Sequence, residues 1–198
     1  VWIRKGQWSR YFGRRLSEST VGIIGVGRIG KLVVELLLGL RCRRILVNDV
    51  DSSVVDELKK ATKFIEVRSK DEIYREADII SVHVPLTDQT LGMISNRELS
   101  MMKGDALIVN TSRGGIVEEQ DLYDLMNKGH LGGAAIDVFE EEPLPTKNPL
   151  WSHPSVYITP HIAGQSNPQS SAKTIAKNIR RIEDGKMPFP IYNFTKGY

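Results

Sequence analysis

The sequence has little that would indicate a secreted or membrane-spanning protein. Cys42 is the only cysteine among 198 residues, so no intramolecular disulfide can form, and a reducing, cytoplasmic location is expected. The longest apolar run, in "KLVVELLLGL", is interrupted by Glu35, whereas a membrane-spanning helix needs about 20 apolar residues. We therefore expect no membrane span.

Strong charge of one sign and metal-binding spacings are also missing. The net charge is only +3, with basic and acidic residues interspersed, and a single short basic stretch covers residues 4–15. This composition gives no support for a nucleic-acid partner. The four histidines show no zinc-binding spacing. We expect neither nucleic acid nor a metal to bind.

Short β-branched and apolar runs alternate with helical patterns. The predicted strands are "TVGIIGV", "RILVND", "KFIEV", "DIISVHV", "ALIVNT", "GAAIDV" and "VYITP". Helical spacing or capping signals cover residues 28–40, 52–61, 69–77, 95–102 and 118–128. The continuous hydrophobicity of the runs indicates strands that are buried on both faces. The alternation predicts an α/β fold, a doubly wound parallel sheet of the Rossmann type.

The two ends of the chain differ from this pattern. The chain begins "VWIRKGQW" without an initiator Met, and its first residues form neither a signal peptide nor a complete folding unit. A piece of a longer protein is the simplest explanation. Near the other end, "SNP" precedes one long predicted helix over 169–184, which Gly185 ends. The tail "KMPFPIYNFTKGY" is predicted to lie as an extended strap.

The glycine-rich segment "GVGRIG", residues 25–30, follows the first predicted strand and opens the first helix. Gly25 permits a tight turn, Gly27 lets the backbone approach a pyrophosphate, and Gly30 lets the helix pack closely on the strand. The helix N-terminus offers unpaired N–H groups to phosphates, and Arg28 adds a cation. The segment therefore predicts a dinucleotide site, with a plain glycine turn as the alternative.

Asp49 ends the second predicted strand, about 20 residues after Gly30. An acidic residue there accepts hydrogen bonds from the adenosine ribose hydroxyls and repels the 2′-phosphate of NADP. No arginine follows directly to compensate, so the sequence favours NAD. Asp51 is the rival for this role, although its position better suits capping the next helix.

Three more segments follow predicted strands, where ligands bind in open α/β sheets. They are "NTSRGG" (110–115), "DVFEEEP" (137–143) and "TPHIAG" (159–164). Together with "GVGRIG" and "VHVPLT" (82–87), these segments resemble the motifs of the NAD-dependent D-isomer-specific 2-hydroxyacid dehydrogenases. The resemblance holds in the order and the spacing of the motifs and covers about residues 21–164. The resemblance implies an oxidoreductase that transfers a hydride between NAD(H) and a D-2-hydroxy acid or 2-oxo acid.

The resemblance implies a catalytic trio. Arg113 would bind the substrate carboxylate, His161 would exchange the hydroxyl proton, and Glu142 would pair with His161. A guanidinium matches a carboxylate bidentately and keeps its charge. A histidine acts as base for oxidation and as acid for reduction. A carboxylate beside that histidine would raise its pKa and favour reduction of the 2-oxo acid.

The resemblance also implies cofactor contacts beyond the glycine turn. Pro85 would lie near the dinucleotide, Thr111 at the edge of the nicotinamide pocket, and Asp137 against the carboxamide. Without such a ligand, Asp137 is expected to be an unpaired buried carboxylate. The full set of expected cofactor contacts is Gly25, Gly27, Arg28, Ile29, Gly30, Asp49, Val84, Pro85, Thr111, Ser112, Arg113, Asp137, His161 and Gly164.

Complete members of this family place a substrate domain before the cofactor domain. The resemblance therefore divides this chain into a linker-helix remnant (1–16), a dinucleotide-binding domain (17–165) and a C-terminal helix and tail (166–198) that return toward the substrate domain, itself largely absent. It implies a homodimer formed through the cofactor domains. We expect the chain alone to bind NAD but to turn over substrate poorly or not at all.

Two alternatives remain open at this stage. The first is an NAD(H)-sensing binding protein like the C-terminal-binding-protein corepressors, since fold alone does not separate enzyme from sensor. The second is a formate or phosphite dehydrogenase on the same scaffold, although formate dehydrogenases replace the His–Glu pairing retained here. For the other histidines, we expect structural roles for His130 and His153, and for His83 either a structural role or one beside the cofactor.

The run "EEEP" is an acidic cluster, and most such clusters are solvated. We expect Glu140 and Glu141 to face solvent or form local salt pairs. Glu142 differs because Pro143 restricts the backbone of the residue before it and would aim that carboxylate. Only Glu142 is therefore expected to influence the pH dependence of turnover.

Overall fold

The structure is a computed structural model and describes residues 13–191. The predicted linker helix and basic stretch lie mostly outside the described residues, as does most of the predicted C-terminal strap. Within them, seven parallel strands form one sheet. The strands are β1 (Thr20–Ile24), β2 (Arg44–Asn48), β3 (Ile65–Val67), β4 (Ile79–Val82), β5 (Leu107–Asn110), β6 (Gly133–Ile136) and β7 (Val156–Ile158).

Between residues 13 and 191, six α-helices connect or follow the strands. They are α1 (Arg28–Gly39), α2 (Ser52–Ala61), α3 (Lys70–Glu76), α4 (Asn96–Met101), α5 (Glu119–Asn127) and α6 (Pro168–Glu183). Short 3₁₀ helices cover Leu16–Glu18 and Pro149–Ser152. Every strand and helix predicted between residues 17 and 185 is present, and most of the observed elements are shorter because capping residues fall outside the regular hydrogen bonding.

The strand order is β3-β2-β1-β4-β5-β6-β7. From β1 the next strands, β2 and β3, are added on one side, and from β4 the strands β5, β6 and β7 are added on the other side. The strand order therefore reverses between β1 and β4. This topological switch point opens a crevice at the carboxyl ends of the strands. The turn after β1 and the loops after β4, β5 and β6 all leave this edge of the sheet.

Both faces of the sheet are buried, as the continuous apolar runs predict. Neighbouring residues in a strand point to opposite faces, and Ile23 and Ile24 of β1 are 0% and 1% exposed. Ile23 packs in a cluster with Val34 of α1, whereas Ile24 packs in a second cluster with Ile73 of α3. The doubly wound α/β prediction is confirmed.

Side-chain caps fix several of these helices. Ser69 and Glu72 form the predicted capping box at the start of α3. The side chain of Asn167 accepts hydrogen bonds from two backbone N–H groups at the start of α6, and Pro168 occupies its first position. None of the residues of α6 is buried. Within the described residues, no helix is both long and apolar enough to cross a membrane.

Candidate cofactor and catalytic site

The glycine turn lies at the switch point and has the geometry that its sequence predicts. Gly25 has φ +89°, and a Cβ on it would lie 2.7 Å from the carbonyl oxygen of His83 at the end of β4. A Cβ on Gly30 would lie 2.1 Å from the carbonyl oxygen of Gly25. Side chains at both positions are excluded, because the turn, α1 and β4 approach so closely.

The N-terminus of α1 is open to solvent. Gly27 is its N-cap, and apart from its chain neighbours no heavy atom of the described residues lies within 4 Å of a Cβ placed there. Arg28 and Ile29 follow in the first turn with exposed side chains. Unpaired backbone N–H groups at a helix start attract anions, so these residues fit a dinucleotide pyrophosphate.

Asp49 lies directly after β2 and contacts the glycine turn. Its Oδ2 accepts a hydrogen bond of 2.7 Å from the backbone N–H of Val26, and its Oδ1 accepts one of 2.9 Å from that of Asp51. The side chain of Asp51 in turn accepts a hydrogen bond from Ser53 and caps α2. The prediction that Asp51 serves as a cap is confirmed, and Asp49 is the acidic group at the turn.

The loop after β4 closes the other side of the crevice. Val84 and Pro85 are half-buried there, and the hydroxyl of Thr90 donates a 2.6 Å hydrogen bond to the carbonyl of Pro85. The ring Nε2 of His83 lies 2.9 Å from the hydroxyl of Ser81. Burial lowers the pKa of His83, which favours its neutral form.

The loop after β5 is held by Asn110, whose importance the sequence analysis missed. Asn110 is 2% exposed. Its Oδ1 accepts hydrogen bonds from the N–H and hydroxyl of Ser112, and its Nδ2 donates to the carbonyl of Arg113. Because the Ser112 hydroxyl donates to Asn110, its oxygen can act toward a ligand only as an acceptor. Thr111 is half-buried beside it.

Arg113 projects from this loop with an exposed guanidinium group. Its Nη1 donates a 2.6 Å hydrogen bond to the carbonyl of Ser112. Within the described residues, the guanidinium forms no ion pair with a carboxylate. It is therefore available for an external carboxylate.

His161 and Glu142 form the pair that the sequence predicts. The ring Nδ1 of His161 lies 2.7 Å from Oε2 of Glu142. Oε1 of Glu142 accepts a hydrogen bond of 3.0 Å from the backbone N–H of Phe139. These two hydrogen bonds, first that from His161 and then that from Phe139, lower the pKa of Glu142. The peptide bond between Glu142 and Pro143 is cis.

Asp137 corrects one step of the sequence analysis, which expected an unpaired carboxylate in the absence of a ligand. Asp137 is 3% exposed, and its carboxylate accepts hydrogen bonds from the hydroxyl of Thr159 and the N–H groups of Ile162 and Ala163. Its carbonyl accepts a 2.8 Å hydrogen bond from the N–H of His161. Asp137 thus holds the loop in which His161 adopts φ +52°, and Thr159 was a missed partner.

The three glutamates have different surroundings. Glu140 is exposed as a residue. Partial burial of its carboxyl group raises its pKa, and the negative charges of Glu119 and Glu118 add smaller effects in the same direction. Of the two expected alternatives, solvent exposure and local salt pairing, the structure shows solvent exposure, and the charged neighbours of Glu140 are acidic. Glu141 is exposed. Of the three, only Glu142 contacts a histidine.

The structure also locates the remaining predicted positions. Gly164 is exposed beyond His161. The Nδ1 of His153 accepts a hydrogen bond from Ser155, and its ring meets that of Tyr123 edge-on. The Nε2 of His130 is buried without a hydrogen-bond partner in the described part of the chain. Residues 13–191 contain no cluster of His, Cys, Asp and Glu that could hold a metal ion.

Comparison with known proteins identifies relatives of this arrangement. Residues 1–163 match the family model of the D-isomer specific 2-hydroxyacid dehydrogenase, NAD binding domain. The chain is 35% identical to a glyoxylate reductase of Thermofilum pendens, over 96% of the chain and 58% of that relative. It is 36% identical to a D-3-phosphoglycerate dehydrogenase of Methanocaldococcus jannaschii, over 96% of the chain and 36% of that relative.

Solved structures agree with these relatives. A D-isomer specific 2-hydroxyacid dehydrogenase from Xanthobacter autotrophicus, in complex with NADPH and MES, superposes with a TM-score of 0.87 at 29% identity, covering all of this chain and 80% of that one. An NADPH-dependent glyoxylate/hydroxypyruvate reductase from Sinorhizobium meliloti, in complex with NADP and sulfate, gives 0.88 at 26% identity, covering all of this chain and 62% of that one.

The glycine turn at the switch point and the His161–Glu142 pair thus occur in a chain that matches one family by sequence and by fold. The chain spans 58% of the Thermofilum relative and 36% of the Methanocaldococcus relative. The chain belongs to the D-isomer specific 2-hydroxyacid dehydrogenase family, of which it is an NAD-binding domain.

Proposed function

We propose that this chain provides the cofactor site and the acid/base pair of an NAD-dependent enzyme that interconverts a D-2-hydroxy acid and a 2-oxo acid. The observation that carries the proposal is the 2.7 Å contact between Nδ1 of His161 and Oε2 of Glu142, on the loops that follow β6 and β7. An oriented histidine at the same edge of the sheet as a dinucleotide turn supplies the proton acceptor that hydroxyl oxidation coupled to hydride transfer requires.

Glu142 determines which ring nitrogen of His161 does the chemistry. Because its pKa is lowered, Glu142 is ionised near neutral pH and can only accept a hydrogen bond, so Nδ1 must carry the proton. Nε2 is then left for the substrate. As a neutral acceptor it takes the hydroxyl proton during oxidation, and as a protonated donor it returns that proton during reduction.

Arg113 would hold the other end of the substrate. Its planar, permanently charged guanidinium matches a carboxylate bidentately. Binding the carboxylate at Arg113 and the hydroxyl at Nε2 of His161 fixes the substrate C2 between them. A bound NAD(H) would accept or supply the hydride at that carbon.

The substrate class follows from these groups, and the relatives indicate where to begin. A carboxylate beside a hydroxyl or carbonyl carbon describes small 2-hydroxy and 2-oxo acids, and the relatives include enzymes named glyoxylate reductase and D-3-phosphoglycerate dehydrogenase. A panel of glyoxylate, hydroxypyruvate, pyruvate and phosphohydroxypyruvate with NADH tests the proposal. Because the chain spans only part of these relatives, we propose that it turns over substrate poorly by itself. The comparisons do not favour a purely sensing role.

We propose NAD rather than NADP as the preferred cofactor, even though the two structural relatives described above contain NADPH or NADP. Asp49 supports this preference, because its carboxylate lies at the glycine turn, where it accepts a hydrogen bond from the backbone N–H of Val26. A carboxylate at this position pairs with ribose hydroxyls and repels a 2′-phosphate.

Replacing Asp49 with asparagine tests the cofactor preference. The amide oxygen still accepts from Val26, but the negative charge is gone. NADH affinity is expected to fall about tenfold, the scale of one charged hydrogen bond, while NADPH affinity rises. Both dissociation constants are measured by nicotinamide fluorescence. The matched control is Asp51→Asn, which removes the same charge two residues away. Equal changes in the two variants would contradict the assignment.

We also propose a cytoplasmic homodimer formed through the cofactor domains. Four large apolar side chains lie along one side of α1 and its C-cap and are 59% to 67% exposed, namely Ile29, Leu32, Leu36 and Leu40. The opposite side of the helix buries Val34 and Leu37. An exposed apolar row of this length marks an interaction surface, and a second copy of the same helix would cover it symmetrically.

Replacing Leu36 with glutamate is expected to break this dimer, because a charge would be buried between the two helices. Light scattering should then report the 22.2 kDa monomer rather than twice that mass. Ile182→Glu, at a similarly exposed apolar position on α6, is the control and should leave the mass unchanged. A monomeric parent chain, or a Leu36→Glu variant that stays dimeric, would contradict the proposal.

A further inference from the structure

We infer that Glu119, in the first turn of α5, is a positioning residue that holds the Glu142 loop so that Glu142 meets His161. The inference rests on the proposed acid/base role of that pair. Glu119 belongs to none of the motifs that predict the site. It acts through two hydrogen bonds to the loop, and it need not touch substrate or cofactor.

The two oxygens of Glu119 bind opposite ends of one irregular segment. Oε1 accepts a 2.8 Å hydrogen bond from the backbone N–H of Glu140, and Oε2 accepts one of 3.1 Å from Nδ2 of Asn148. Asn148 itself caps the following 3₁₀ helix, since its Oδ1 accepts from the N–H of Leu150. Glu142 lies between the two anchor points, so Glu119 fixes both sides of the loop that carries it.

A backbone contact joins the same loop to the segment that carries Arg113. A Cβ on Gly114 would lie 1.9 Å from the carbonyl oxygen of Phe139 and 2.6 Å from the nitrogen of Glu140. Only a glycine permits this approach. Residues 110–119 therefore carry Arg113 and also make both contacts with the Glu142 loop, through Gly114 and through the side chain of Glu119. This one continuous segment sets the position of Arg113 relative to Glu142.

The main competing explanation is that Glu119 only stabilises α5. An acidic side chain in the first turn of a helix interacts favourably with the helix dipole. Glu118, the N-cap of α5, would share that effect. Within the described residues, however, the Glu118 carboxylate makes no hydrogen bond to the 140–148 segment. A helix-stability role predicts similar consequences for the two residues, whereas a positioning role predicts consequences for Glu119 alone.

The pKa of Glu142 distinguishes a positioning role of Glu119 from a purely electrostatic one. When the charge of Glu119 is removed, the two roles change that pKa in opposite directions. The hydrogen bonds from His161 and Phe139 lower the pKa of Glu142. Removing a negative charge nearby would by itself lower that pKa further. Loosening the loop would instead weaken the contact with His161 and raise it toward the ordinary value. The carboxyl ¹³C signal of Glu142 reports the pKa directly and needs neither cofactor nor turnover.

The experiment uses Glu119→Gln, Asn148→Asp, the double variant and the control Glu118→Gln. The glutamine oxygen at position 119 still accepts from Glu140, but its amide group opposes that of Asn148. In the double variant, the amide at position 119 donates to the new carboxylate at position 148, which still accepts from Leu150. In the complete protein, each single variant is expected to raise the Glu142 pKa and to lower kcat about tenfold, with a smaller change in KM. Because the new charge of Asn148→Asp also raises that pKa, the titration of Glu119→Gln is the one that separates loosening from electrostatics. The double variant should return the Glu142 pKa to that of the unmodified protein and kcat to within about twofold of it.

The inference is overturned if Glu119→Gln behaves like Glu118→Gln in the Glu142 titration, or if the double variant is no better than the single ones. Thermal melts confirm that each variant is folded. Failure of the proposed function has a different signature, namely no turnover of any 2-oxo acid by the complete unmodified protein. The Glu142 titration would still test Glu119 in that case.

Discussion

Replacing His161 with asparagine is expected to lower kcat for 2-oxo acid reduction by about three orders of magnitude in the complete protein, within the range of general acid/base catalysis. Asparagine tolerates the φ of +52° that His161 adopts, so the loop that Asp137 holds should keep its shape. What is lost is the proton carried by Nε2. NADH affinity should change far less than kcat.

The control for this variant is His153→Gln. His153 accepts a hydrogen bond from the backbone N–H of Ser155, and its ring packs against Tyr123. Within the described residues, it has no carboxylate partner. Its replacement should leave kcat within about twofold, as expected for a group outside the chemistry. Turnover by the His161 variant at more than a tenth of the normal rate would exclude His161 as the acid.

Replacing Glu142 with glutamine is expected to lower kcat about 100-fold and to change its pH dependence. The neutral amide removes the negative charge that faces Nδ1 of His161, the acid in 2-oxo acid reduction, so the pH dependence of kcat should differ from that of the unmodified protein. The amide can also present its N–H to Nδ1 of His161, which disfavours the tautomer that leaves Nε2 as the acceptor. A pH series of kcat measures both effects.

Glu140→Gln and Glu141→Gln are matched controls, because each removes one carboxylate from the same run. Glu140 is tied to Glu119 through its backbone N–H, so its side chain can change without loss of that hydrogen bond. Neither carboxylate contacts His161 in the structure. Their pH profiles should match that of the unmodified protein. Equal shifts in all three variants would show a general effect of acidic charge and contradict the special role of Glu142.

Glu142 also responds to pH through its own ionisation. Its folded-state pKa is lowered by His161 and by the N–H of Phe139. For a carboxyl group with a depressed pKa, the associated stabilisation is present above the ordinary pKa and is lost as the pH falls through the depressed one. The loop should therefore keep its contact with His161 at neutral pH and lose it in acid.

Much of the fold follows from the sequence because local and long-range signals agree. Continuous apolar runs such as "VGII" of β1 require burial on both faces, and caps such as Ser69 with Glu72 mark helix starts by local hydrogen bonding. The tight turn at Gly25 and the close packing at Gly30 were predicted correctly because they depend on missing side chains, a property that is visible in the sequence itself.

The parts of the site that the sequence did not predict depend on partners distant in the chain. Asp137 is satisfied by Thr159, Ile162 and Ala163, more than 20 residues later. Asn110 and Glu119 are polar residues that bind backbone groups of loops. Asn110 is the first residue of "NTSRGG", and Glu119 follows that segment by four residues. Backbone partners leave no trace in residue identity, so the sequence did not show which backbone groups these two side chains bind.

The most direct test of the central claim follows deuterium from the nicotinamide to the substrate. NADH carrying deuterium at C4 is incubated with glyoxylate and the complete protein, and the glycolate is examined by mass spectrometry. We predict deuterium at C2 of the product with the unmodified protein and almost none with His161→Asn. Absence of transfer with the unmodified protein across the 2-oxo acid panel, or equal transfer by the variant, would contradict the account.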